Sequence, residues 1–391
     1  MKSLNAASIL PEDGTDGTLV GRVWLPSASG PSVVAVRRDG VFDVTSVFPT
    51  VSALVEHSNP AAALQAVPGT RIAGLDDLIA NTLPDGRDPA KPWLLAPLDL
   101  QVLKAAGVTF VVSMLERVIE ERARGNPSSA AAIRQEVVRL VGDDLSKLKP
   151  GSPEAMHLKE VLISQQAWSQ YLEVGIGPDA EVFTKAPVLS SVGTGMDAGL
   201  HPKSTWNNPE PEVVLVVSSS GRITGATLGN DVNLRDFEGR SALLLSKAKD
   251  NNASCAVGPF VRLFDQTFSL DDIRKMDLTM TVTGEDGFVL DGHSSISKIS
   301  RDPEDLVSQT VGPEHQYPDG FALFLGTMFA PVKDRDTPGQ GFTHKRDDIV
   351  TIQTAKLGKL VNRMRPSDEC EAWTFGIGAI MKNLAGRGYL R

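Results

Sequence analysis

The spacing of hydrophobic and polar positions changes character several times along the chain. Over residues 18–48, "TLVGRVWLP…GPSVVAVRRDGVFDVTSVFP" alternates short β-branched runs with Gly and Pro turns. That is the pattern of a small antiparallel unit. The next stretch is rich in Pro, Gly and Asp and ends near residue 92. Its end is taken as a boundary between a small N-terminal β-rich domain (1–92) and a larger domain (93–391). From Met114, "MLERVIEERARG" carries apolar and charged residues at helical spacing and stops at Gly125. "NPSSAAAIRQEVVRLVG" and "SPEAMHLKEVLISQQAWSQYLE" predict two more helices with Ser/Pro starts, so residues 126–172 form a helical insertion. After Gly175 the pattern returns to β in "AEVFTKAPVLSSV", "EPEVVLVVSSSGRITGATLGND", "KMDLTMTVTGEDGFVLDG" and "DIVTIQTAKLGKLVNRM". "VVLVVSSSGRITGATLG" predicts a hairpin about its Ser/Gly turn. Long β segments with helices set between them predict an α+β fold with a mixed, mainly antiparallel sheet.

Composition narrows the partners. A formal net charge of -9 and the absence of a basic run interleaved with aromatics argue against a nucleic-acid backbone or an anionic membrane. No apolar run approaches the roughly 18–20 residues that span a bilayer. "MKSLNAASILPEDGTDG" has no apolar core of a secretory signal. Cys255 and Cys370 form no disulfide framework and no zinc pattern, and are expected to be buried thiols. The expectation is a reduced, cytoplasmic protein that acts on a small molecule.

The chemistry concentrates in "WNNPEPEVVLVV" and the segment after it. Glu210 and Glu212 are two apart, so on a strand both side chains point to one face. Pro211 between them donates nothing to a ladder, which puts the pair at a strand's first residues or on an edge. If the next strand returns as a hairpin, Asp231 of "TLGNDVNLRD" comes back beside them. Three converging carboxylates repel one another unless protonated or neutralised by a cation, and all-oxygen ligation suits Mg²⁺, Mn²⁺ or Ca²⁺. From spacing alone a second reading stays open: Glu210 and Glu212 as solvated edge charges, with Asp231 as a helix N-cap.

Taken together, "FTKAP", "PEPEVVLVV", "GNDVNLRD", "SKAKDNNASCAVGPF", "FLGTMFAP", "PGQGFTHKRDDIVTI" and "KLGKLVN" resemble, in that order, the fumarylacetoacetate hydrolase superfamily. The resemblance covers most of residues 100–391. It implies a mixed β-roll, mostly antiparallel, preceded by a small N-terminal domain, and usually assembled as a homodimer or homotetramer. It implies a divalent metal, Mg²⁺ with Mn²⁺ as the substitute, on Glu210, Glu212 and Asp231. It places Lys249 toward a metal-bound substrate, and Thr327 with Gly326 on a loop that binds the substrate carboxylate. Lys185 of "FTKAP" reads either as a pocket cation or as a lysine blunting a strand edge.

One departure decides the chemistry expected. Hydrolases of the family carry G-x-N-Y-x-x-H-x-x-E, whose His–Glu pair activates water. Here the matching piece is "GVTFVVSMLE", with Ser113 in the histidine's place and Glu116 after it. The six histidines elsewhere show no spacing that replaces it. The run instead resembles the superfamily's 2-keto-3-deoxy-D-pentonate dehydratases, which implies substrate contacts from Thr109, Phe110 and Ser113. The expected reaction is loss of water from a 2-keto-3-deoxypentonate to give 2-oxoglutarate semialdehyde. Lys249 is then the base at C3 and Glu116 the acid at C4. Glu120, one turn on along the same helix face, is the rival acid. The alternatives are a C–C hydrolase or decarboxylase acting on a 2,4-diketo acid, and a non-catalytic binding protein.

Overall fold

Every residue of the strand Pro211–Val217 is buried, which explains the unbroken apolar run in its sequence. Val213, Leu215 and Val217 enter one core cluster, while Val214 and Val216 enter another on the opposite face. A strand covered on both faces has no solvent side and so loses the polar half of its alternation. Each such buried Val or Leu contributes roughly 1.5–3 kcal/mol.

The computed structural model describes residues 1–391 apart from residues 2, 3, 125, 127–132, 134, 136–147, 165, 332 and 391. Among the described residues an eleven-stranded sheet is built around Pro211–Val217. On one side lie Ile223–Asp231, Cys255–Leu263 and Leu19–Leu25, and on the other Phe321–Phe324, Val102–Gly107 and Glu181–Ala186. Neighbours run antiparallel except Phe321–Phe324 beside Val102–Gly107. A second sheet of five strands, from Asp197–Leu200 to Val289–Ser295, packs through Leu278, Met280, Val350 and Ile352 against Val213, Leu215 and Leu228 of the first. The architecture is the mainly antiparallel α+β arrangement expected. The N-terminal strand Leu19–Leu25 pairs with Cys255–Leu263 and with the meander Gly30–Arg37 and Gly40–Asp43, so residues before 92 extend the same large sheet.

The predicted hairpin forms, with Pro211 opposite Asn230 and Glu212 opposite Gly229. The helix predicted from Met114 spans Val111–Ala123. The helix expected over "SPEAMHLKEVLISQQAWSQYLE" divides into Pro153–Ser164 and Gln170–Ile176. Gln166 takes a left-handed φ of 55°, and Ser169 caps the second helix through the Tyr171 N–H. The break lets Ala167, Tyr171 and Leu172 join the cluster holding Val118 and Ile119 of Val111–Ala123. The remaining helix predicted in the insertion, "NPSSAAAIRQEVVRLVG", lies largely outside the described residues. No described helix is long and apolar enough to cross a membrane. Cys255 and Cys370 are both buried and free, as expected.

Beyond Phe321–Phe324 the chain runs through a long loop that walls the functional cleft. Arg335 anchors it, reaching Asp348 at 2.6 Å and Asp286 at 3.1 Å. His344 is buried beside this anchor, its Nδ1 3.2 Å from Asp348. Burial holds its pKa below 6.5 despite the attraction of Asp348. A histidine depressed in the folded state binds its proton more readily when unfolded, so stability is complete above pH 6.5 and falls as pH drops below it. Denaturant unfolding from pH 7.5 to 5 should therefore show a loss that is smaller in His344→Asn. Equal pH slopes for the two proteins would remove His344 from this account.

Candidate functional site

The hairpin register carries the site. Pairing of Pro211–Val217 with Ile223–Asp231 brings the Asp231 N–H to within 3.1 Å of the Glu210 carbonyl. Glu210, Glu212 and Asp231 each offer a carboxylate oxygen, all within 4.8 Å of one another, and they are the one group of this kind among the described residues. They are 5%, 3% and 2% exposed, which rules out solvated edge charges. Asp231 ends its strand and caps no helix; the next helix, Arg235–Glu238, has Leu234 at its N-cap.

Three cations partly offset this charge. Lys249 Nζ bridges Glu210 at 2.5 Å and Asp231 at 2.9 Å. Lys185 Nζ approaches the other Asp231 oxygen at 2.9 Å. Arg117 reaches the second Glu210 oxygen at 2.5 Å. The charges remain unequal in effect. Burial, then Asp231 and Glu210, push the Glu212 carboxyl well above its usual range. Burial would also raise Asp231, but Lys185 and Lys249 outweigh it and hold Asp231 low. Burial would lower Lys249, yet Asp231, Glu210 and Glu238 together raise it well above the ordinary lysine value.

The cleft over the triad is lined by Ser113, Glu116, Arg117 and Glu120 on one wall. These recur at i, i+3, i+4 and i+7 on Val111–Ala123, one helix face. The Ser113 hydroxyl donates to the Phe110 carbonyl at 2.9 Å. Glu120 is gripped by Arg117 at 2.7 Å and Arg235 at 2.7 Å. Burial opposes its ionisation, but the two guanidiniums overcome that and lower its pKa. Glu116 lies 3.7 Å from Arg235. Arg235 itself stacks over Trp206, 4.2 Å from the ring centroid.

The opposite wall is the loop after Phe321–Phe324. Gly326 donates its N–H to Glu212 at 2.6 Å and has φ +83°. A Cβ there would lie 2.1 Å from the Thr109 hydroxyl, so the turn needs glycine. Thr327 lines the cleft, its hydroxyl accepting the Phe329 N–H at 3.1 Å. Three residues expected to contact substrate stand behind the walls instead. Thr109 donates its hydroxyl to the Leu325 carbonyl at 2.6 Å, Phe110 enters the core, and Lys185 is fully buried behind Asp231.

Arg117, Glu181 and Glu238 also line the cleft, and none of them was singled out from the sequence. The i, i+3, i+4, i+7 polar stripe could have flagged Arg117. Glu181 and Glu238 carry no local signal, because strand pairing and a four-residue helix place them. Glu238 is 3.0 Å from Arg117, and burial nevertheless raises its pKa. Glu181 is raised to about 7, by burial first and then by Glu238, with Arg117 and Lys249 opposing. No histidine lines the cleft among the described residues.

Residues 200–365, which contain the whole triad, match the family model described as fumarylacetoacetate hydrolase C-terminal. The chain is 29% identical over 185 residues to the 2-dehydro-3-deoxy-D-arabinonate dehydratase of Saccharolobus solfataricus, covering 47% of this chain and 58% of that protein. A Haloferax volcanii protein named "Probable 2-keto-3-deoxyxylonate dehydratase" is 30% identical over 192 residues, 49% of this chain and 62% of that one. The matched stretches thus span about six-tenths of these relatives' length. A solved 2-keto-3-deoxy-D-arabinonate dehydratase, complexed with magnesium and 2,5-dioxopentanoate, superposes with a TM-score of 0.60 at 22% identity, over 89% of this chain and 99% of that one. At that identity the likeness speaks for the fold. The triad and its hairpin lie within the part of the chain, residues 200–365, that is similar to the fumarylacetoacetate hydrolase C-terminal family, whereas the helix Val111–Ala123 and Glu181 line the cleft from outside it.

Proposed function

We propose that the cleft is the active site of a divalent-metal-dependent dehydratase converting a 2-keto-3-deoxypentonate to 2,5-dioxopentanoate and water. The carrying observation is the buried carboxylate triad opening into a cleft that also holds the Glu181 carboxyl, raised to about 7, and that no histidine lines among the described residues. The two curated relatives, both named as dehydratases of such acids, support the substrate class.

The donor set fits Mg²⁺ or Mn²⁺: three buried carboxylates, with Glu212 raised by burial and then by repulsion from Asp231 and Glu210. A bound divalent cation supplies Lewis-acid polarisation of the 2-keto group, which acidifies C3. Glu210, Glu212 and Asp231 would hold it, while Arg117 and Lys185 fix the orientation of Glu210 and Asp231, and the Gly326 N–H fixes Glu212. Thr327 and its loop receive the substrate carboxylate.

Glu181 is the acid–base group of this reading. Its carboxylate takes a proton from C3 and, now protonated, returns it to the C4 hydroxyl, which leaves as water. The C3–H and C4–O bonds break as the C3–C4 double bond forms. Tautomerisation through C5 then yields the aldehyde, so the product keeps all five carbons. Glu120, locked between two arginines, is a poorer donor, and Glu116 stays the second choice. Lys249, the base expected from the sequence, serves in this reading to hold Glu210 and Asp231 together.

Incubation with 2-keto-3-deoxypentonates and Mg²⁺ should yield an aldehyde of unchanged carbon count, and EDTA should abolish it. Pyruvate or CO₂ as product would replace this reading with the hydrolase or decarboxylase one, and the Ser113→His variant should help only that chemistry. The cytoplasmic location and the homo-oligomeric assembly, dimer or tetramer, belong to the same proposal.

A further inference from the structure

The strands Val102–Gly107 and Glu181–Ala186 run antiparallel with Gly107 directly opposite Glu181. Directly opposed residues project to the same face of a sheet. At Gly107 that face has no side chain, and the Glu181 carboxylate occupies the space. A Cβ on Gly107 would lie 2.0 Å from Glu181 Oε2 and 2.7 Å from its Cδ. The other nearby contact is Glu181 Cγ at 3.4 Å, so no backbone obstructs the position. Added bulk there would move a flexible carboxyl and leave the sheet intact.

The next residue reinforces the arrangement. Val108 takes φ +57°, a left-handed conformation that a β-branched residue rarely adopts. Its side chain is buried in the cluster containing Met114 and Tyr171. Thr109 then ties the turn on both sides, donating its hydroxyl to the Leu325 carbonyl while its own carbonyl accepts from the Ser300 N–H and hydroxyl. Packing and hydrogen bonds hold the end of this strand in a conformation it would not choose alone, and so fix where the bare face of Gly107 lies.

We propose that Gly107 is a positioning residue: its missing side chain is the seat that holds the Glu181 carboxyl in the cleft beside the metal-binding triad. The catalytic part of this inference rests on the reading of Glu181 as the acid–base group; the seating itself does not. Within the chain it identifies a pair, Gly107 and Glu181, whose sizes must match.

The test compares the full-length wild type with Gly107→Ala, Glu181→Asp and the double variant. Glutamate labelled with ¹³C at Cδ, with Glu181→Gln to assign the resonance, follows the carboxyl directly. In the wild type it should titrate near 7, and in Gly107→Ala it should move toward the ordinary glutamate range. Each single variant should lower kcat at least tenfold while Mn²⁺ affinity, read by electron paramagnetic resonance, changes less than twofold. Because aspartate is one methylene shorter, it makes room for the new methyl, so kcat of the double variant should be at least tenfold higher than the multiplied single losses predict. An unmoved Glu181 resonance in Gly107→Ala, or losses that simply multiply, would overturn the seating. If the wild type makes no aldehyde yet the resonance shifts as described, the seating stands and the proposed reaction falls.

Discussion

Glu212→Gln should lose metal-dependent turnover by roughly 10³-fold or more, since removing a ligand forfeits several kcal/mol of Lewis-acid stabilisation at about 1.4 kcal/mol per tenfold. The variant is informative because its fold should survive. Gln keeps an amide oxygen to accept the Gly326 N–H, now held at 2.6 Å. It also removes a charge from a site where Asp231 and Glu210 already oppose Glu212 ionisation. The unliganded protein should therefore unfold at the wild-type temperature or above it. Mg²⁺ should raise the wild-type midpoint and leave that of the variant unmoved. Full turnover in Glu212→Gln, or an equal midpoint shift in both proteins, would sink the assignment of the triad as a metal centre.

Glu181→Gln should cost roughly 10²–10⁴ in kcat, the usual worth of a positioned proton-transfer group. Glutamine neither accepts the C3 proton nor returns one to the leaving hydroxyl. Metal affinity should be unchanged, because Glu181 is not part of the triad. The pH dependence distinguishes this group from its rivals. With a carboxyl near 7 acting first as a base, activity should rise as pH climbs through about 7, and that limb should vanish in Glu181→Gln. Glu120→Gln carries a different expectation. Glu120 is paired with Arg117 and Arg235, so its loss should disturb stability and cleft shape without removing the limb. If Glu120→Gln or Glu116→Gln abolished the limb and Glu181→Gln retained it, the acid–base role would pass to the helix Val111–Ala123.

These two variants probe groups that reach the cleft by different routes, and the difference shows how far the chain could be read without its fold. Periodicity alone was enough for the strand Pro211–Val217, because a strand buried on both faces writes itself as a run of Val and Leu. The hairpin followed from the Ser/Gly turn, and with it the return of Asp231 to Glu210. Spacing could not say whether these carboxylates met water or each other; the resemblance chose, and burial of all three agrees with it. The helix Val111–Ala123 was legible for the same periodic reason, whereas the break before Gln170–Ile176 was not. That break depends on Ala167, Tyr171 and Leu172 finding partners on a distant helix.

What the chain determined by itself were its local periods, its turns and the chemical types available: carboxylates at strand ends, a serine where the hydrolases it resembles keep histidine. The tertiary structure decided which of these residues face one another. Arg117 meets Glu210 across 93 residues, and Glu181 lies over Gly107 only because two antiparallel strands adopt one register. The same packing ties Lys249 to two acids and sets Lys185 behind Asp231. Ion pairs and carboxyl pKa values depend on distance and burial, which sequence separation does not encode, so the charge state of the cleft became visible only once the sheets had closed around it.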